Sequence, residues 1–491
     1  MSGAMSLSGG ASSAQVNGGT LTIGSTLTIS TKADAGKFTM SSGTLGVTGA
    51  VTVGRTGSIA NANTTAITTG FVMSGGTANF ASSFTIGTTN SSAGSILSGG
   101  ALTVGGTIFI GAQTTATTRF NTFVVSGGTL NANSLVIAAG SGTIVQKGVA
   151  IFTGGTSTFS GVNFGVASSV AGQTGQLTLG GGTLYVGSGG IINAATTQAN
   201  VTPTISLSSG TLGASADWSS SLPATIGASG ITVQAADGAT TAHNITLTGV
   251  LGGTGTLTKT GGGTVTLGGI NTYSGTTTIS AGTLALSSTG SINNSPTVNV
   301  VSGAVFDVSA ISGGLSVPSG QTLKGTGTVN GGVTIASGAT LAPGLSASPG
   351  VITFNNNLTL AGATTILING TTLGSQYAGV SVGGNLGYGG ALTLNFGAPS
   401  ADGNTYSLFT VTGTKSGDFT SVVLTGSHST SLTDTSNVWS GAADGLTFTF
   451  DDSTGVLDVL AAVPEPSSVA MLAGLAGLGF TVLVRRRRRQ S

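Results

Sequence analysis

Short runs in which apolar and polar residues alternate recur along the whole chain: TLTI at 20–23, STLTI at 25–29, ALTV at 101–104, TIFI at 107–110, GTVTL at 263–267 and NLTL at 357–360. A period of two puts one face in a core and the other in water, so each run predicts a β-strand of about four to six residues. Threonine holds the wet positions, where its β-branched side chain suits a pleated surface. Between the runs a glycine-centred phrase returns: NGGTL at 17–21, SSGTL at 41–45, SGGTA at 74–78, SGGAL at 98–102, SGGTL at 126–130, TGGT at 153–156, GGTL at 181–184, SSGTL at 208–212 and AGTL at 281–284. From position 74 the phrase returns at intervals of roughly 24 to 28 residues, the spacing of a repeat architecture. Two or three strands per such unit, with glycine supplying positive φ at the corners, describe one coil of a β-solenoid. A single coil cannot bury its apolar face, so it stacks on the next at about 4.8 Å, and some 14 or 15 coils would make a rod of about 70 Å. A propeller would need blades of about 40 residues carrying aromatic signatures. Only two Trp occur in the chain.

Composition narrows the choice further. Glycine accounts for 87 of 491 residues, yet it has no three-residue period and there are only 9 prolines, which excludes collagen. Charged residues make up 5% of the chain and a single Glu, Glu465, is present, so neither a helical protein nor a charge-rich disordered one fits. The absence of cysteine excludes disulfides, thiol nucleophiles and cysteine-ligated metals. The net charge of +1 hides an asymmetry, because Arg485, Arg486, Arg487, Arg488 and Arg489 form one run and the body before the tail holds 8 basic and 11 acidic groups. Such a body offers nucleic acid no cationic cluster.

The segment LTKTGGGTVTLGGINTYSGTTTISAGTLAL at 257–286 resembles the autotransporter-associated β-strand repeat, with its Leu-Thr-Lys-Thr-Gly opening, Asn-Thr-Tyr-Ser-Gly corner and Ala-Gly-Thr-Leu close. The resemblance implies a right-handed parallel β-helix of a secreted or surface protein of Gram-negative-type bacteria, and no chemistry. The expected layout is irregular solenoid repeats over 1–256, the repeat over 257–286, closing coils over 287–400, a C-terminal β cap over 401–462 and a tail over 463–491. Within the cap, LTFTF at 446–450 followed by 456–460 predicts a terminal hairpin, and alternation points Val265 and Leu267 into the core.

The tail combines VPEPS at 463–467, an apolar stretch over 469–484 and the five arginines. This is similar to the PEP-CTERM sorting signal, with Pro464, Glu465 and Pro466 as its motif. The apolar stretch would rise about 24 Å as a helix, close to a bilayer core, so one C-terminal transmembrane helix is expected. The arginines would stay cytoplasmic and orient it. The resemblance implies an exosortase-type sorting enzyme as partner, transient residence in the inner membrane, and then a cell-surface or extracellular destination. The opening MSGAMSLSGGASSAQ contains no charge and no apolar run, so a signal peptide is expected upstream of the given start.

Candidate chemistry is sparse. His243 and His428 stand far apart in the chain, and Asp444, Asp451 and Asp452 fall in turn-like segments where calcium would be the one guest to consider. Lys32, Lys37, Arg55, Arg119, Lys147, Lys259, Lys324 and Lys415 are scattered singly, without the paired carboxylates or cationic cluster of a polysaccharide lyase or hydrolase. No catalytic residue, metal or cofactor is therefore expected. Threonine pairs such as Thr20 with Thr22, Thr26 with Thr28 and Thr264 with Thr266 would stack into hydroxyl rows able to meet exopolysaccharide. The sequence thus reads as an exported structural solenoid, with a glycan-binding adhesin as the alternative and an enzyme third.

Overall fold

The computed structural model describes residues 1–7, 12–29, 36–54, 70–88, 92–112, 119–140, 146–344 and 348–462. They form an all-β parallel solenoid of about 14 turns. The one helical element among them is the 3-10 turn Gln198–Asn200, and no helix among the described residues is long and apolar enough to cross a membrane. The expected transmembrane segment, 469–484, lies outside the described residues.

Register follows the glycine phrases. Thr20 pairs with Thr44, Thr44 with Thr77, Thr77 with Ala101, Ala101 with Thr129, and the series continues through Thr156, Thr183, Thr211, Thr232 and Thr258 to Thr278. Between positions 101 and 214 the strands are long, as in Arg119–Ile137, Gln146–Phe164 and Gln173–Asn193, each broken by a register shift at the glycine corner. Beyond position 214 the wall separates into distinct columns. One contains Ile231–Gln234, Leu257–Thr260 and Thr277–Ile279; a second contains Trp218–Ser220, Ile245–Leu247, Thr264–Leu267 and Thr283–Leu286; a third begins at Leu315–Val317. Turn length varies there: some turns are shorter than the spacing of the glycine phrases suggests, while Trp218 still reaches Ile245 and Leu392 reaches Val422. Thr258 already meets Thr278 one turn on, whereas in the first half Thr129 has to reach Thr156.

The repeated phrase has a steric origin. Gly43, Gly76, Gly100, Gly128, Gly155, Gly182 and Gly210 all have φ between +66° and +91°, and each sits against the carbonyl of the glycine one turn earlier. A Cβ on any of them would overlap that oxygen. The corner therefore needs glycine twice over, for the left-handed backbone and for the close approach of stacked turns.

Inside, the alternation builds apolar rows along the axis. Leu45, Ala78, Leu102, Leu130, Leu184 and Leu212 lie in one such row, interrupted by the buried Ser157 between Leu130 and Leu184, and are nearly inaccessible. Val265 and Leu267 also point inward, fully buried, as the alternation requires. Full burial of each such side chain contributes about 1.5–3 kcal/mol.

Parallel pairing continues past position 400 to Ser421–Gly426, which stacks on Ala391–Phe396. The direction then reverses. Thr430–Asp434 pairs antiparallel with that last coil, and Val438–Ala443, Leu446–Asp451 and Val456–Ala461 follow as an antiparallel meander. The last two form the hairpin predicted from LTFTF. Phe448 and Phe450 bury against Phe396, Phe409 and Phe419 beneath it. This layer covers an edge that would otherwise present unpaired strand groups.

Candidate functional site

Within 257–286 the signature polar residues point into the protein. The LTKT run places Lys259 on the same inward face as Leu257, between Val233 and Ile279 of the adjoining turns. Its ammonium donates to the carbonyls of Gly261 and Gly263 at 2.6 Å and of Ala281 at 2.8 Å. Burial pushes its pKa down to about 8, while three short charge-assisted bonds act to keep the proton. Asn271 replaces a missing ladder bond: its Oδ1 accepts from the Leu251 amide at 2.9 Å, and its Nδ2 donates to the carbonyls of Gly269 and Ser291. Tyr273 is fully buried and its hydroxyl lies 2.7 Å from Thr277, which donates to Ser295, which in turn donates to the Gly275 carbonyl. Burial raises this phenol to about 12. Lysine, asparagine and tyrosine thus staple three successive turns, and none is presented to solvent.

The two histidines lie in separate environments. His428, 3% exposed, packs between Phe396 and Phe448; its Nε2 accepts the Ser400 backbone N–H at 2.8 Å, so Nδ1 carries the proton toward Asp444 at 2.8 Å. The trio looks like a serine–histidine–aspartate set only in composition. The Ser400 hydroxyl turns to Tyr406 at 2.7 Å, and the imidazole nitrogen that would take a nucleophile's proton is already occupied. His243 stands between Asp217 and Asp237, 3.8 Å from each. Desolvation pushes the Asp237 carboxyl up, but hydrogen bonds from Thr241 and Ala239 outweigh it and leave it below its ordinary value.

Asp451 and Asp452 share the tip of the terminal hairpin and behave oppositely. Asp451 accepts from the Ser453 hydroxyl and amide, which hold it low. Asp452 is 2% exposed, and burial, with the Asp418 carboxyl beside it, raises it to about 8 from 3.8. Asp418 accepts the Trp439 indole N–H at 2.7 Å, while both carboxyl oxygens of Asp452 are buried without a hydrogen-bond partner among the described residues. Buried beside this pair, the Tyr388 phenol is raised by its desolvation and by the two carboxylates of Asp452 and Asp451. Because the folded cap holds a proton that the unfolded chain releases near pH 4, this contribution is complete below about 4 and is lost as pH climbs through about 8. Trp439 fluorescence during thermal unfolding should show the cap melting at lower temperature at pH 8.5 than at pH 5, and Asp452→Asn should remove most of that difference. An unchanged pH dependence in the variant would contradict the assignment.

The remaining cations stay apart. Lys147 lies 5.0 Å over the Phe120 ring, and Lys415 donates to the Ser453 carbonyl at 3.1 Å. Lys37 and Lys324 sit on separate strands, Lys37–Val47 and Thr322–Gly325. Lys32 and Arg55 lie outside the described residues, as does the side chain of Arg119. Among the described residues no group of three or more histidine or acidic side chains is placed to hold a metal.

The expected hydroxyl rows are present in part: Thr20 and Thr28 begin threonine rows, whereas Thr22 pairs with Gly46, Thr266 is followed by Ala285 and Thr26 lies outside the strands. Thr20, Thr44, Thr77, Thr129, Thr156, Thr183, Thr211, Thr232, Thr258 and Thr278 stand in register, interrupted once by Ala101. A second row, displaced by two positions along each strand, is more varied and includes Thr103, Asn131, Thr158, Tyr185, Gly213 and Gln234. Sequence inspection missed Lys259 in its inward row, the His428–Asp444 pair and the buried Asp452. For Lys259 the signal was present, since alternation in LTKT puts it on the face of Leu257.

The sorting residues Pro464, Glu465 and Pro466, and the run Arg485, Arg486, Arg487, Arg488 and Arg489, lie outside the described residues. Family comparison reaches them. No curated protein matches the chain. Residues 257–286 match the passenger-associated-transport repeat, the segment stapled by Lys259, Asn271 and Tyr273. Residues 462–489 match the PEP-CTERM protein-sorting motif, which implies export towards the cell surface and recognition by an exosortase-type sorting enzyme. The chain is thus a parallel β-solenoid that carries one passenger-associated-transport repeat and ends in a PEP-CTERM protein-sorting motif.

Proposed function

We propose that this protein is a non-enzymatic structural element of the bacterial cell surface or extracellular matrix: a right-handed β-solenoid delivered by its C-terminal signal. The tail crosses the inner membrane as a single helix with Arg485 to Arg489 on the cytoplasmic side, and an exosortase-type enzyme processes it near Pro464, Glu465 and Pro466. The observation that carries the structural reading is the fate of the repeat's polar groups. Lys259, Asn271 and Tyr273 are all engaged by the backbone and hydroxyls of neighbouring turns. The His428 imidazole is engaged in the same way within the cap. Groups that could do acid–base work serve the fold.

The sorting reading rests on the tail's chemistry. Proline fixes its own φ and biases the residue before it away from helix, so on this reading Pro464 and Pro466 would present an extended peptide to the processing enzyme. Glu465 offers a processing enzyme the only Glu in the chain. In a host that exports the protein and has the sorting enzyme, changing Pro464, Glu465 and Pro466 together to alanine should leave the protein in the inner-membrane fraction, while the unaltered chain reaches the surface. Equal distribution of the two would reduce the tail to a simple anchor. A glycan-binding role is the second reading, favoured by the groove described next.

A further inference from the structure

The second outer row runs along a surface groove of about 330 Å³ between the long strands of the first half. One wall is Thr103, Asn131 and Thr158, which follow one another on successive turns; the other is Ser160, Ser188 and Ser215. No residue lining the groove is charged. The side chains of Thr103, Asn131 and Thr158 point outward, with no hydrogen bond to the described protein, so their donors and acceptors are open to a guest. The next residue in the row is Tyr185, paired in register with Thr158 on one side and Gly213 on the other. A Cβ on Gly213 would come within 2.5 Å of two atoms of the Tyr185 ring. Glycine at 213 therefore lets the ring lean along the solenoid axis over the following turn, where Gln234 Nε2 reaches its hydroxyl at 3.4 Å. The ring is half-buried; Tyr185 is not itself part of the groove lining but follows Thr158, the last row residue that lines it, by one turn.

We infer that this groove binds an extended, neutral, β-1,4-linked polysaccharide lying parallel to the solenoid axis, with one sugar stacked on Tyr185. A polyanion finds no cation along the walls, and an apolar helix or lipid finds walls of hydroxyls and an amide. A chain of sugar hydroxyls meets these polar groups on successive turns about 4.8 Å apart, a repeat close to the advance of one sugar unit. The C–H face of a pyranose then packs on the tyrosine ring, which supplies most of the binding, while the polar rows set direction. The inference rests on the surface reading only for why glycan is at hand. Binding by purified protein can fail while sorting holds, and the reverse.

The test is affinity electrophoresis of the full chain in mild non-ionic detergent, through native gels containing β-1,4-glucomannan, hydroxyethylcellulose, dextran or polygalacturonate. Retardation is expected in the first two gels and unchanged by about 0.5 M salt, since no ion pair is involved. Tyr185→Ala should weaken binding about tenfold, whereas Tyr185→Phe, which keeps the ring, should stay within about twofold of the parent. Circular dichroism of both variants establishes that the solenoid is intact. The inference is overturned by free migration in both β-1,4-glycan gels, by retardation that a folded Tyr185→Ala leaves untouched, or by retardation confined to polygalacturonate and abolished by salt.

Discussion

Replacing Gly128 by valine should destabilise the solenoid by about 3 kcal/mol or more, enough to lower its melting temperature by many degrees. Two costs combine. Gly128 has φ +75°, a region that a β-branched residue enters only under strain, and its Cβ would overlap the Gly100 carbonyl of the turn below. Relief is hard to find, because Gly155 sits on the Gly128 carbonyl in the same way and the column of stacked corners runs from Gly43 to Gly210. Pushing one turn away separates inter-turn hydrogen bonds on either side. Gly303 provides the control. Its φ is +78°, but a Cβ there meets nothing, so Gly303→Ala should cost only about 1 kcal/mol for the backbone conformation. Circular dichroism melts of the two variants should differ clearly. Equal effects would show that stacking distance is not what selects glycine at the corner.

Lys259→Met should cost about 3 kcal/mol although the replacement is apolar and of similar length. In many proteins an apolar pair can replace a buried charged pair at little loss. Here the partners are backbone carbonyls of Gly261, Gly263 and Ala281, which stay when the ammonium goes. The Gly263 carbonyl keeps the Thr283 amide at 3.2 Å, whereas the Gly261 and Ala281 carbonyls lose the ammonium as donor. Each acceptor left without a donor costs about 1–3 kcal/mol, offset in part by the ammonium's own desolvation, which no longer has to be met. The loss should be local. Amide hydrogen exchange should accelerate over 257–286 first, ahead of the turns before position 214. A fully stable methionine variant would mean that water satisfies those carbonyls and that the lysine is incidental.

The sequence displays the fold because a solenoid repeats its physics. Alternation names the inward rows, and the returning glycine phrase names the corners, so Val265, Leu267 and the threonine register were all legible. Turn length was less so. The spacing of the glycine phrases is not uniform beyond position 214, where Thr278 already stacks on Thr258 but Val422 stacks on Leu392 across a longer turn. Side chains that break the alternation's own logic were hardest to read. A lysine in an apolar row looks like a wet residue until three carbonyls converge on it. His428 and Asp444 belong to different strand connections and meet only through the antiparallel reversal of the cap. Asp452 sits in a hairpin turn, where aspartate is common for local reasons, and nothing local says that the hairpin lands on Asp418 and Tyr388. Tyr185 owes its position to Gly213, a neighbour one turn away that linear inspection does not pair with it. The tail was legible for a different reason, since the PEP-CTERM motif is a local sequence pattern confined to residues 462–489.

The most direct test of the account is the intact mass of the protein released from the surface of an exporting host that has the cognate exosortase. A structural solenoid sorted through its PEP-CTERM motif predicts a mature chain that has lost Arg485 to Arg489 together with the apolar stretch before them. A surface protein whose mass still includes the five arginines would contradict it.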